Sequence, residues 1–137
     1  MEVKIEHTAF QVADPVALSR WYVEHLGLTI KRAQAASPFG HFLADDGDTV
    51  MLEFYNNPSL PVPDYASMNP LTLHLAFETG DVAGTRARLL AAGATAEGEV
   101  QHTDAGDWVT MLRDPSGLAL QLVQRGAPML ARERSSR

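Results

Sequence analysis

The sequence predicts an α+β fold made of two tandem βαβββ modules, and three observations lead there. A short motif, His-x-Ala-Phe, occurs in "EHTAF" (6–10) and again in "LHLAF" (73–77). Each copy runs into an aspartate and a helix-like stretch, and three short strand-like segments follow each helix. The interval is constant, with His7 and His74, Phe10 and Phe77, and Asp14 and Asp81 each 67 residues apart. Two copies of one supersecondary unit are the simplest account of such a period.

The elements follow in order. Residues 3–12 read as a strand. Asp14 then suits an N-cap and Pro15 the first helical position, so "VALSRWYVEHL" continues as a helix that Gly27 stops in a left-handed cap. Strand-like runs follow near 28–35, 39–45 and 49–56, with "DDGD" (45–48) as a turn. These complete a first module over 3–56. Residues 57–70 hold four prolines and read as a connector able to act as a lid. The second module, 71–125, repeats the order: a strand at 71–79, Asp81 as cap, the helix "VAGTRARLLAA", Gly93 as its stop, and strands near 95–102, 107–113 and 118–124. "DPSG" (114–117) fits a type I turn. Residues 126–137 read as a flexible tail ending in the solvated "RERSSR".

Composition narrows the function. At 137 residues the chain is expected to form a single domain. A net charge of -6 with scattered basic residues offers no cationic stripe for phosphates, so nucleic acid is excluded as a partner. The absence of cysteine removes disulfides, thiolate metal ligands and a cysteine nucleophile. "MEVKIEH" enters strand-like sequence without an apolar signal core, and no run of about 18 apolar residues is present to span a bilayer. The expectation is a cytoplasmic protein without a membrane partner.

Strand alternation then sorts the side chains. In 49–56, Val50, Leu52 and Phe54 oppose Met51, Glu53 and Tyr55; in 118–124, Leu118, Leu120 and Leu122 oppose Ala119, Gln121 and Val123. The more apolar face belongs under the helices. The other face carries His7, Glu53, His74 and Gln121, with Glu53 and Gln121 separated by 68 residues much as the histidines are by 67. Singly, each is an ordinary surface or satisfied core residue. Jointly they supply two imidazoles, a carboxylate and an amide oxygen, donors suited to a divalent ion. His7, Glu53 and His74 alone could equally form a facial triad for iron(II). Tyr55, Met51, Trp108, Met111 and Phe39 are candidate substrate-lining residues, with core packing the better reading for at least half of them. His25, His41 and His102 lack such partners and read as ordinary surface or pocket residues.

The paired modules, "EHTAF", "LHLAF", the acid in "MLEFYN" and the closing "RDPSGLALQLVQ" resemble the vicinal oxygen chelate superfamily over residues 3–125. That superfamily includes glyoxalase I, extradiol dioxygenases, methylmalonyl-CoA epimerase and the fosfomycin and bleomycin resistance proteins. The resemblance implies a U-shaped mixed sheet around a central cavity, with helices outside and a homodimer expected, the paired modules coming from one chain or being exchanged across that dimer. It also implies a divalent metal (Fe, Ni, Zn, Co or Mn) held by His7, Glu53, His74 and Gln121, stabilising an enolate or oxyanion of a small substrate. One departure stands out, because glyoxalase I usually has glutamate where this chain has Gln121, and an amide cannot accept a proton near neutral pH. Glu53 then becomes the candidate catalytic base of an isomerase, lyase or epimerase. The net charge near +1 left on the metal by a single carboxylate favours an anionic substrate. Two alternatives remain open: an iron(II) extradiol-type dioxygenase, and a non-catalytic drug-sequestering protein, whose known examples lack the metal ligands.

Overall fold

The computed structural model describes residues 2–131. Residues 132–137, the "RERSSR" stretch of the expected tail, lie outside the described residues. The chain divides after Pro63 into two compact units, each holding one mixed sheet and one α-helix.

In the first unit, β1 (His7–Gln11) leads to α1 (Pro15–Leu26), then β2 (Thr29–Ala33), β3 (His41–Ala44) and β4 (Met51–Tyr55). Asp14 Oδ1 accepts a hydrogen bond from Ala17 N at 3.1 Å, and Gly27 closes α1 at φ 72°, where a side chain would be strained. The sheet order is β1-β4-β3-β2; β1 and β4 run parallel, while β3 runs antiparallel to both β4 and β2. Leu18, Trp21 and Tyr22 on α1 are buried, as are Phe10 and Phe54 on the sheet. The Tyr22 and Phe54 rings lie 5.1 Å apart and those of Phe10 and Phe54 6.1 Å apart. Burial of these rings drives the packing.

The second unit repeats the plan. A short 3₁₀ turn (Tyr65–Ser67) precedes β5 (Leu75–Glu78), α2 (Val82–Ala91), β6 (Thr95–Ala96), β7 (Gln101–His102), β8 (Trp108–Arg113) and β9 (Ala119–Gln124). Asp81 caps α2 by accepting from Gly84 N at 2.9 Å. The order is β5-β9-β8-β6, with β7 also on β8 and the β5/β9 pair parallel. Val82 and Leu89 of α2 and Leu112, Leu120 and Leu122 of the sheet form the buried layer. In both units, therefore, the first strand lies parallel beside the last.

Four expectations change, the first being that the strand expected at 3–12 spans only His7–Gln11. The strand expected at 71–79 begins only at Leu75, because residues 69–72 turn: Asn69 Oδ1 accepts from Leu71 N and Asn69 O from Thr72 N, both at 2.9 Å. The strand expected at 95–102 breaks into two short pieces around Gly98, which has φ 95°. Phe39 lies before β3, in the left-handed region at φ 56°, with its N–H donated to Ala36 O.

The 114–117 turn forms as expected. Asp114 O accepts from Gly117 N, and Asp114 Oδ1 accepts from Ser116 N and Ser116 Oγ. Gly117 has φ 92°, and a Cβ there would stand 2.9 Å from Ala66 Cβ and 3.0 Å from Ala66 N. Backbone conformation and space both exclude a side chain. Gly117→Ala is expected to destabilise the protein by about 2–4 kcal/mol through left-handed strain plus overpacking, measurable by urea denaturation.

Candidate metal centre

The parallel pairing of first and last strands places the candidate donors in each unit. In the first, β1 and β4 align so that His7 is opposite Met51, Ala9 opposite Glu53 and Gln11 opposite Tyr55. In the second, Ala76 is opposite Gln121. Both units thus set the alanine of a His-x-Ala motif against the polar residue of the last strand, Glu53 in one and Gln121 in the other. The third strand completes the row, with Phe42 opposite Glu53 and Met111 opposite Gln121.

His7 has a carboxylate near each ring nitrogen. Its Nδ1 donates to Glu6 Oε1 at 2.5 Å, and its Nε2 stands 3.7 Å from Glu53 Oε1. The two groups stand beyond hydrogen-bond distance of each other. The ring of Phe42 meets His7 edge-on, with centroids 5.5 Å apart. Gly40 makes room beside the carboxylate: a Cβ there would stand 3.3 Å from Glu53 Oε2 and 3.1 Å from Gln34 Oε1.

His74 is held by a different partner to the same effect. It precedes β5, and its Nδ1 donates to Pro70 O at 2.8 Å. A carbonyl can only accept, so Nδ1 carries the proton, and in the neutral form of the ring the lone pair is on Nε2. Ligating histidines commonly donate the remote ring N–H to a carboxylate or a backbone carbonyl, and these two rings show one case of each. Among the described residues, no group of three or more His, Asp or Glu side chains stands close enough together to hold a metal ion. His7 stands beside Glu53 in the first unit, and His74 and Gln121 belong to the second. In kind, imidazole nitrogen, carboxylate and amide oxygen fit a divalent ion.

The expected lining residues separate. Met51 and Tyr55 share the Glu53 face of β4, and Met111 shares the Gln121 face of β8. Trp108 does not, because it pairs with Gln124 in the row of Thr110 and Leu112, on the α2 side of the sheet. Phe39 sits in the turn before β3. His41, expected near the surface or a pocket, is buried at 6% exposure in the row of Leu43 and donates Nδ1–H to Phe39 O. Glu6, Phe42 and Gly40 were not singled out by sequence. Strand alternation could have found Phe42, since it puts 42 and 44 opposite to 41 and 43. Glu78, on the Gln121 face at the end of β5, was also passed over.

The comparisons with known proteins agree with this architecture. The chain belongs to the Glyoxalase/Bleomycin resistance protein/Dioxygenase superfamily, whose family model matches residues 4–122. Similar solved structures include TnmS3, an antibiotic binding protein from Streptomyces sp. CB03234, at 22% identity and a TM-score of 0.68, covering 91% of this chain and 98% of that one. A superfamily member from Sphaerobacter thermophilus DSM 20745 has 16% identity and a TM-score of 0.71, covering 90% and 98%. A family enzyme from Burkholderia phytofirmans PsJN has 17% identity and a TM-score of 0.72, covering 89% and 98%. No curated protein matched. Among the described residues, no helix is long and apolar enough to cross a membrane.

Neighbouring residues of β4 should respond differently to substitution. Phe54 is fully buried while the Glu53 side chain is 21% exposed. Urea denaturation is expected to show Phe54→Ala losing about 3–5 kcal/mol, and Glu53→Gln staying within about 1 kcal/mol of wild type.

Proposed function

We propose that this chain is a metal-dependent isomerase, lyase or epimerase acting on a small oxygenated substrate, with His7, Glu53 and His74 as ligands and Gln121 as a further oxygen donor. The observation that carries this reading is the matched state of two imidazoles. Each has its Nδ1–H engaged, so that the neutral ring would offer Nε2 to a metal, and His7 Nε2 stands 3.7 Å from the Glu53 carboxylate. A bound divalent ion (Fe, Ni, Zn, Co or Mn) supplies Lewis-acid stabilisation of an enolate or other oxyanion.

The chain's own residues supply the rest. Glu53 is the carboxylate beside a ligand imidazole, and one of its Oε atoms takes the proton from the substrate carbon and returns it. Gln121 has no proton-accepting role, so its amide orients bound oxygen atoms. Met51 and Tyr55 flank Glu53 on the same strand face and offer apolar contact to the substrate. A single carboxylate leaves the metal with net charge near +1, which selects for an anionic substrate.

A second reading has its own support. TnmS3 is an antibiotic binding protein of the same fold, and no three-ligand cluster forms among the described residues; a protein that sequesters a small molecule without metal fits both facts. Metal content by mass spectrometry on untagged protein tests the two. The proposal expects near-stoichiometric metal in wild type. In His7→Ala and His74→Ala it expects affinity to fall by more than the roughly 10–100-fold that losing an outer-shell partner costs. Iron as that metal would redirect the assignment to extradiol-type ring cleavage. Wild-type content no higher than in the variants after reconstitution, with small-molecule binding unchanged by chelator, would establish the sequestering protein.

A further inference from the structure

The connector is tied at both ends by buried side chains. Gln11 Nε2 donates to Asn57 O at 2.7 Å and Leu60 O at 3.1 Å, while Gln11 Oε1 accepts from Asn57 N at 2.8 Å. At the other end stands Arg113, 7% exposed. Its Nη1 donates to Tyr65 O at 2.9 Å and Gly117 O at 3.1 Å, its Nη2 to Met68 O at 2.7 Å, and its Nε to Glu97 Oε1. A buried guanidinium is costly unless its donors are satisfied, and here three of the four acceptors are backbone carbonyls, two of them in one short segment.

That segment ends at His74. Met68 is followed by the Asn69 turn, in which Oδ1 accepts from Leu71 N and the carbonyl from Thr72 N. The turn presents Pro70 O to His74 Nδ1 at 2.8 Å. The first unit lacks this device. The residue before its corresponding turn is Ala44, and the ring of His7 is held by the side chain of Glu6, which is 71% exposed.

We propose that residues 65–70 form a strap, fixed by Arg113 and Asn69, whose purpose is to hold His74 as the Nδ1–H tautomer with Nε2 turned out as a lone pair. Arg113 and Asn69 are positioning residues acting through Pro70. The ring state is a property of the strap itself; its use in ligation rests on the metal-centre reading above.

Two-bond proton–nitrogen NMR correlations on the ¹⁵N-labelled full chain, with imidazoles neutral, read the tautomer directly, and a cobalt(II) titration reads its consequence. Wild type is expected to show His74 protonated at Nδ1. Asn69→Ala, at an exposed position that leaves the core untouched, is expected to move His74 toward the Nε2–H form and to weaken cobalt binding about tenfold. Asn69→Asp keeps an oxygen acceptor for Leu71 N and is expected to restore both, while Arg113→Gln behaves as Asn69→Ala. His74 protonated at Nε2 in wild type would overturn the proposal, as would an Nδ1–H form unchanged in both Asn69→Ala and Arg113→Gln. If the tautomers respond as expected but wild type takes up no cobalt, the strap stands and the metal-centre reading falls.

Discussion

The candidate centre depends on one constraint, the parallel pairing of the first and last strands in each unit. Parallel strands need a long crossover, filled by α1 with two intervening strands in the first unit and by α2 with three in the second. The pairing has a chemical result, because it sets Ala9 against Glu53 and Ala76 against Gln121. Had either register slipped by one residue, the acid or amide would exchange places with Phe54 or Leu122 and enter the core. The layer that makes each unit stable, built on Phe10, Phe54 and Tyr22 or on Leu112, Leu120 and Leu122, is therefore also what fixes the polar residues on the other face.

Duplication supplies the frame, and departures from symmetry supply the chemistry. Glu53 can move a proton and Gln121 cannot. His7 is oriented by a carboxylate and His74 by a carbonyl. The second unit carries Arg113 where the first carries Ala44, and Arg113 holds the later end of the connector while Gln11 holds the earlier one. The "RDPSG" sequence thus combines three tasks in five residues: a strap anchor at Arg113, a self-capped turn at Asp114, and at Gly117 the space that Ala66 requires.

Much of this was legible in the sequence, for identifiable reasons. Both helices announced themselves because Asp14, Pro15, Asp81 and Gly27 do local work that needs no tertiary partner. Strand parity correctly put Glu53 opposite to Phe54 and Gln121 opposite to Leu122. The same rule separates Trp108 from Met111: the two are three residues apart on one strand and cannot share a face. The start of β5 was hidden because strand propensity continues through Leu71 and Leu73, while the turn that overrides it depends on one side-chain oxygen of Asn69. Arg113 was silent for a deeper reason. Its acceptors are mostly backbone carbonyls, and a carbonyl leaves no signature in the residue type that bears it.

X-ray absorption at the metal edge of the cobalt- or nickel-loaded chain tests the central claim most directly. A first shell of nitrogen and oxygen donors, with multiple scattering from two imidazoles that drops to one in His7→Ala and in His74→Ala, is the result this account predicts. A shell of oxygen donors alone, or an imidazole signal unchanged in either variant, would contradict it.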